Sequence, residues 1–246
     1  MTTPRLKGTS SRLRLGSMNA CLILLVGAVL AASTGSLQTR GFGVRPPQAT
    51  APSDTPQAAT RRIDRTQGRR LTDALQPTDV VLEVVDIQPP GLNPPPPPGR
   101  SQLEQMTIDA SVAAVVTVRS VSGSLTSGGD WINTTVVAEL TRVFKSTDGP
   151  RTAGQLITFS TSGGTVTIGT QSIRATRLGD SSFSATNTYL VFLQRRGNQL
   201  WAYPNEVALI DGQTLVPFSR EGRRNFPSSD AETVVNEVSI FARTRG

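Results

Sequence analysis

The chain has 246 residues, of which 37% are hydrophobic and 5% aromatic, and it contains one Cys and no His. Without imidazole side chains, Ser/His/Asp triads, HExxH metalloproteases and zinc sites made of Cys and His are excluded. One Cys also excludes an internal disulfide framework. Because these common sites are excluded, we expect a protein without cofactor, metal or recognisable catalytic residues.

The formal net charge of +7 comes mainly from the N-terminus. Residues 1–40 carry five basic side chains and no acidic one, whereas residues 101–246 carry thirteen basic and twelve acidic side chains. A phosphate-binding surface requires a local excess of Lys and Arg. The balanced charge of residues 101–246 therefore argues against nucleic acid as a partner.

The N-terminal segment has the pattern of an export signal. A basic start precedes an apolar run from Ala20 to Ala32, which small polar residues follow. The thirteen residues of this run would form a helix of about 20 Å, shorter than the roughly 30 Å hydrocarbon core. This length favours a cleaved signal with Ala31 and Ala32 before the cut. Residues 1–36 could instead remain as a signal-anchor, and a buried core helix is the third alternative.

Residues 37–100 form a proline-rich segment. Twelve of the 17 prolines lie between Pro46 and Pro98, and Phe42 is the one aromatic residue of the segment. Such a composition buries too little apolar surface to offset its ordering entropy. We therefore expect a disordered linker that acts as a spacer, with polyproline II structure over Pro94–Pro98.

Two features interrupt this linker. Five arginines between Arg61 and Arg70 form a basic cluster, which could contact anionic lipid or cell-wall polymer, or could be a solvated helix or coil. The apolar run Val80–Ile87 could add an edge strand to the following domain or to the sheet of a partner. We favour docking on its own domain.

Apolar side chains that alternate with a period of two predict strands beyond residue 110. Even-numbered positions from Val112 to Val118 share one face, and so do those from Ile132 to Leu140. Tyr189–Leu193 is apolar on both faces and should be a central strand that is covered on each side. The predicted strands are Ser111–Ser122, Trp131–Phe144 with a bulge near Val143, Leu156–Thr161, Thr165–Thr170, Tyr189–Leu193, Gln199–Tyr203, Val207–Ile210 and Thr214–Phe218.

Turn and capping residues complete the pattern. Asp211-Gly212 favours a type I′ hairpin turn between the last two strands. Ser229 and Glu232 have the spacing of a capping box and predict a helix over residues 230–243. Six to eight short antiparallel strands and one late helix predict a mainly β domain over residues 101–246, either a small OB-like barrel or a sandwich. We expect this domain to fold without residues 1–100.

Several segments resemble a group of exported bacterial proteins of unknown function. The resemblance covers roughly residues 108–218 and rests, in this order, on Ala110–Val121, Thr135–Lys145, Gly154–Phe159, the Gly163-Gly164 pair and Phe183–Leu193. It implies a small OB-type barrel, distantly similar to the netrin-like fold of tissue inhibitors of metalloproteinases.

The chain departs from the pattern of that group at three places. Val116 and Ser146 stand where Gly is usual, and Thr186-Asn187 stands where Gly-Glu is common. The inhibitors reach a protease zinc with an N-terminal Cys, and residues 101–246 contain no Cys. Inhibition by that route is therefore not implied.

Carboxylates are the strong acid and base groups that remain. A glycoside hydrolase needs two of them about 5 to 10 Å apart, and the spacing in residues 101–246 singles out no pair. Several of the candidate carboxylates adjoin Gly, as turn residues do, and Glu139 lies on the side of its strand opposite the apolar face. The candidates are Asp109, Asp130, Glu139, Asp148, Asp180, Glu206 and Asp211.

We therefore expect an exported or membrane-tethered, non-catalytic β-domain with a binding or structural role in the cell envelope. It would be periplasmic or secreted, or held at the inner membrane by an uncleaved N-terminal segment. Its partner would be an envelope protein or polymer, and Trp131, Trp201 and Tyr203 are the candidate contact residues. The alternatives are a carboxylate-dependent hydrolase of an envelope polysaccharide and a bitopic component of an envelope complex.

Overall fold

A computed structural model describes residues 59–65, 68–87 and 95–245 of the chain. They lie within a single structural unit that spans residues 53–246. The expected signal or anchor over residues 1–36, with Ala31 and Ala32, lies outside the described residues. Within the described residues, no helix combines the length and the hydropathy required to span a bilayer.

The described residues form a mainly β fold with ten strands and two α-helices. The mainly β class and the predicted C-terminal helix are therefore confirmed. The strands are β1 (Ala59–Asp64), β2 (Asp79–Asp86), β3 (Val112–Leu125), β4 (Ile132–Ser146), β5 (Leu156–Ser162), β6 (Gly164–Ile168), β7 (Gln171–Arg177), β8 (Thr188–Arg196), β9 (Gln199–Asp211) and β10 (Thr214–Pro217). The helices are α1 (Gln102–Asp109) and α2 (Ala231–Arg245).

The larger of two sheets has six strands in the order β10-β9-β5-β4-β3-β8. Its neighbouring strands are antiparallel except β5 and β9, which run parallel and meet at Ser160 and Trp201. β9 also pairs in antiparallel fashion with β8, at the far end of this order. Starting from β9, the strand pairings therefore lead through β5, β4, β3 and β8 back to β9.

β8 is covered on both faces, as its apolar sequence predicted. Tyr189, Val191 and Leu193 belong to the central apolar cluster of the larger sheet. Leu190 and Phe192 point to the opposite side, where they pack in a cluster with the two helices. Because successive side chains of a strand alternate between faces, one strand contributes to both clusters.

α2 covers one side of the larger sheet with its apolar face. Val234 and Val238 have no exposed surface and pack in the same cluster as Leu190, so the predicted buried face is confirmed. The cap differs from the predicted Ser229, because the Asp230 carboxylate accepts a hydrogen bond from the Thr233 N–H at 2.7 Å.

The hairpin between β9 and β10 is present, but its turn differs from the prediction. Asp211 pairs with Thr214 across a two-residue loop. Gly212 has a φ of 60°, whereas Gln213 is not among the residues with positive φ. A type I′ turn needs positive φ at both central residues, and Gly at the first one is the type II′ pattern.

Part of the expected linker is folded, which corrects the prediction of disorder over residues 59–65 and 68–87. β2 lies between β1 and β7 in a four-stranded sheet, parallel to both, and β6 completes this sheet beside β7. Leu82 and Val84 have no exposed surface and pack in one cluster with Ile173. The apolar run that starts at Val80 therefore docks on its own domain, as an interior strand rather than at an edge.

The expected domain boundary at residue 101 is also corrected. Leu82 and Leu71 precede this boundary, yet they share an apolar cluster with Trp131 and Ile132, which follow it. Residues 101–246 therefore do not contain the whole core, because the smaller sheet draws two of its four strands from the proline-rich segment.

Candidate functional site

Of the three expected contact residues, Trp131 is a core residue. It is 6% exposed, and its indole N–H donates a hydrogen bond to Ser162 Oγ at 2.7 Å. The guanidinium of Arg65 lies 4.3 Å from its ring centroid. This placement corrects the prediction of an exposed contact at Trp131, because the smaller sheet packs over the side chain.

Trp201 and Tyr203 lie side by side on the outer face of β9. Their neighbours Leu200 and Ala202 are buried in the central cluster, so strand alternation directs Trp201 and Tyr203 outward, where both are partly exposed. The guanidinium carbon of Arg196 lies 5.4 Å from the Trp201 ring and 5.5 Å from the Tyr203 ring. One cation is thus within cation–π range of both rings. We call Arg196, Trp201 and Tyr203 the aromatic face.

Hydroxyl side chains flank the aromatic face. Ser160 of β5 is in register with Trp201, and Thr158 lies two residues away on the same face of the strand. Thr135 of β4 pairs with Ser160. These three residues line a shallow depression of about 350 Å³. The surface therefore combines two aromatic rings, one cation and several hydroxyl groups.

The nearby basic side chains Arg195 and Arg151 share one carboxylate partner, Asp148. Nε of Arg195 donates a hydrogen bond to Asp148 at 3.1 Å, and Arg151 lies 3.7 Å from the same carboxylate. The hydrogen bond from Arg195, followed by the charges of both guanidiniums, lowers the pKa of Asp148. Arg196 has no comparable carboxylate partner among the residues that the structure describes.

A separate cavity of about 180 Å³ lies where the two sheets meet, and Arg177 and Asp180 are among its lining residues. Phe183 and Phe218, with ring centroids 4.7 Å apart, form its apolar floor. We call it the Arg177–Asp180 cavity. It shares none of the three residues of the aromatic face.

Glycine residues let the walls of this cavity approach each other. A Cβ on Gly123 would overlap the carbonyl oxygen of Thr165, and a Cβ on Gly164 would overlap the hydroxyl of Thr134. Gly164 has a φ of 126°, which non-glycine residues rarely adopt. The Gly163-Gly164 pair therefore has a structural role in the wall of the cavity.

Arg177 and Asp180 carry the charge of the cavity. Nε of Arg177 is buried and has no hydrogen-bond partner among the described residues. The backbone N–H of Asp180 donates to the carbonyl of Arg177 at 3.1 Å, which closes a turn through Gly179 with φ 87°. Burial raises the pKa of Asp180 to about 6, although the charge of Arg177 opposes the shift.

The carboxylates considered for a hydrolase are spread over the domain. Of the seven, Asp180 lines the Arg177–Asp180 cavity and the other six do not. Asp130 accepts a hydrogen bond from Thr126 at 2.8 Å, and Glu206 accepts one from Gln194 at 2.7 Å. In the described part of the chain, no three acidic side chains come together in a way that could hold a metal ion.

Sequence reasoning missed the Arg177–Asp180 cavity. Arg177 ends a strand that the alternation did not predict, and Asp180 resembles a turn residue because it follows Gly. One available signal was Thr134 and Thr161, two buried hydroxyl side chains at otherwise apolar positions of β4 and β5.

No protein-family model matches the sequence, and no curated protein matches it significantly.

Proposed function

We propose that the chain is an exported or membrane-tethered, non-catalytic β-domain that binds a polymer of the cell envelope through its aromatic face. The observation that carries the proposal is the outward placement of Trp201 and Tyr203 beneath Arg196. Partly exposed Trp and Tyr side chains offer a flat apolar surface with a polar tip, a combination that is common in binding sites.

The proposed architecture is an OB-type barrel made of β3, β4, β5, β8 and β9, rather than a sandwich. Three features support it: β3, β4 and β5 are consecutive antiparallel strands, β5 is parallel to β9, and the pairings return to β9 through β8. OB-type barrels bind oligosaccharides and oligonucleotides on the face of their second and third strands and on adjoining loops. In this chain those strands are β4 and β5, which carry Thr135, Thr158 and Ser160 beside the aromatic face.

A polysaccharide fits this surface better than a nucleic acid. Hydroxyl side chains suit the hydroxyl groups of sugars, and the rings of Trp201 and Tyr203 suit their apolar faces. A polynucleotide would require several unpaired cations, whereas Arg195 and Arg151 both face Asp148.

Export is supported by the basic and then apolar pattern of residues 1–36 and by the absence of Cys after residue 21. Whether the segment is cleaved separates the secreted form from the alternative of a bitopic envelope component. Sequencing the N-terminus of the mature protein tests this point, since an intact Met1 in membranes would favour the anchored form.

The hydrolase alternative receives less support. General acid–base cleavage of a glycoside needs two facing carboxylates, and Asp180 is the one candidate carboxylate that lines the Arg177–Asp180 cavity. Release of reducing sugar ends from envelope polysaccharide, lost in Asp180→Asn, would favour the enzyme over the binding domain.

Binding is tested by cosedimentation of the full chain with isolated envelope polysaccharide. We expect saturable binding that weakens about tenfold in Trp201→Ala and in Tyr203→Ala, because one aromatic contact contributes about 1 to 3 kcal/mol. Ile240→Ala is the control, since Ile240 is 57% exposed on α2, away from the aromatic face. Equal binding by all variants, or binding to oligonucleotide in preference to polysaccharide, would refute the proposal.

A further inference from the structure

The Arg177–Asp180 cavity contains polar groups that the protein leaves without partners. Nε of Arg177 is buried, and its N–H donates a hydrogen bond to none of the described residues. Thr161 also lines the cavity, and its hydroxyl forms no hydrogen bond with any described residue. More than 90% of buried polar groups in proteins are hydrogen-bonded. The buried, unpartnered Nε of Arg177 and the available hydroxyl of Thr161 lie in the wall of one cavity and therefore indicate a place for a polar ligand.

The charges of the cavity have opposite sign and are not joined in an ion pair. Arg177 lies at the end of β7 and Asp180 lies across the turn that follows, and no salt bridge connects them within the described residues. A ligand with one negative and one positive group would satisfy both side chains. A simple anion would pair with Arg177, but the negative charge of the Asp180 carboxylate would repel it.

The floor of the cavity is apolar and its mouth is polar. Phe183 and Phe218 are 6% and 4% exposed and form the floor. Ser181 and Ser182 are exposed residues of the lining and lie on the solvent side. A ligand with its charged end near the mouth and an apolar side chain on the two rings matches this distribution.

The size of the cavity limits the ligand. An engineered cavity of about 150 Å³ in another protein holds benzene, and this one measures about 180 Å³. It therefore accommodates a molecule of about six to nine heavy atoms. Free amino acids from alanine to leucine have this size, whereas a disaccharide does not.

We propose that the Arg177–Asp180 cavity binds a small apolar amino acid as its zwitterion, with the carboxylate on Arg177, the ammonium on Asp180 and the side chain on Phe183 and Phe218. The Thr161 hydroxyl donates to the ligand carboxylate, because the hydroxyl of its neighbour Thr134 is already bonded to the Gly163 carbonyl at 2.5 Å. This site goes beyond the proposed polymer binding and does not depend on it.

Isothermal titration calorimetry of the full chain with alanine, valine and leucine tests the proposal. We expect saturable binding of at least one of them, and at least about tenfold weaker binding of the matched amide and of the matched acid without its amine. The amide lacks the negative charge and the deaminated acid lacks the positive one, so each removes one of the two contacts. Equal binding of the deaminated acid would overturn the zwitterion assignment.

Four variants locate the site. Arg177→Gln and Asp180→Asn should each weaken binding at least about tenfold, and Thr161→Val should weaken it by a smaller factor while keeping the shape of the side chain. Arg174→Gln is the matched control, because Arg174 is an exposed residue of the same strand and does not line the cavity. Thermal melting of each variant checks its fold.

The outcomes separate this proposal from the polymer proposal. Absence of heat with all three amino acids at about 10 mM would refute the amino acid site, whatever the result with polysaccharide. Binding that Arg174→Gln weakens as much as Arg177→Gln would also refute it. If Arg177→Gln fails to fold, Thr161→Val and the comparison of the three ligand forms still decide the question.

Discussion

Replacing Glu206 by Gln should stabilise the protein at neutral and alkaline pH. Glu206 lies on β9 and is 5% exposed. Its Oε1 accepts a hydrogen bond from Gln194 at 2.7 Å, whereas its buried Oε2 has no partner among the described residues. Burial is the main cause that raises the pKa of this carboxyl from 4.5 to about 7, and the charge of Asp109 adds to it.

The size of the effect follows from the pKa of Glu206 in the folded and unfolded states. The folded protein binds the proton of the Glu206 carboxyl more tightly than the unfolded chain does. Ionisation of Glu206 therefore does not affect the free energy of unfolding below about pH 4.5, and it lowers this free energy as the pH rises towards about 7. Each unit of pKa difference corresponds to about 1.4 kcal/mol, which gives a loss of about 3 kcal/mol at pH 8. An amide at this position carries no charge and removes the loss.

Urea unfolding of the wild-type protein and of Glu206→Gln at about pH 4 and pH 8 measures the difference. We expect similar unfolding free energies at the acidic pH, where both side chains are neutral, and an advantage of about 3 kcal/mol for the variant at pH 8. Asp211→Asn, at an exposed hairpin position, serves as the comparison and should not show this advantage. A variant that is less stable than wild type at pH 8 would refute the assignment of a buried, costly charge.

Three further predictions concern the fold. Leu82→Ala should lower the free energy of unfolding by about 2 to 5 kcal/mol, because Leu82 has no exposed surface; Val80→Ala, at a neighbouring position that is 43% exposed, should change it by much less. Thr186→Gly should raise it by about 1 kcal/mol in urea unfolding, since Thr186 has a φ of 71°. Asp79→Asn should lower the stability at pH 7 and have little effect in acid, because the hydrogen bond from Arg61 lowers the pKa of Asp79 and its stabilisation is lost as the pH falls through that pKa.

Each of these predictions has a clear contrary result. Equal losses in Leu82→Ala and Val80→Ala would mean that β2 is not an interior strand. A destabilised Thr186→Gly would mean that the backbone there is not in the left-handed region. A stability difference in Asp79→Asn that is the same at pH 2 and pH 7 would mean that the ion pair with Arg61 is not responsible.

The strands of the larger sheet were predictable because their signal is local. Alternate positions from Ile132 to Leu140, which are apolar except for Thr134, predict one buried face whatever covers it, and all five residues at these positions are buried. The continuous apolar run Tyr189–Leu193 predicted a strand that is covered on both faces, and this strand lies between two apolar clusters. Val234 and Val238 likewise marked the buried face of α2.

The smaller sheet was only half predictable. The apolar run from Val80 suggested a strand. In contrast, β1 has no apolar alternation, and it is a strand of the sheet because it pairs with β2. Arg61 and Arg65 of this region pair with Asp79 and Asp86, which lie 18 and 21 residues away. A cluster of arginines therefore looked like a solvated surface in the sequence, because its carboxylate partners are distant in the chain.

The amino-acid sequence by itself determined the class of the fold, most strand positions, the late helix and the chemistries that a chain without His cannot perform. Only the tertiary structure decided that Trp131 is buried while Trp201 and Tyr203 are not, and that Arg177 and Asp180 line one cavity with Thr161. The physical reason is that periodicity reports which face of a strand is apolar, whereas exposure and charge environment depend on segments that meet only after folding.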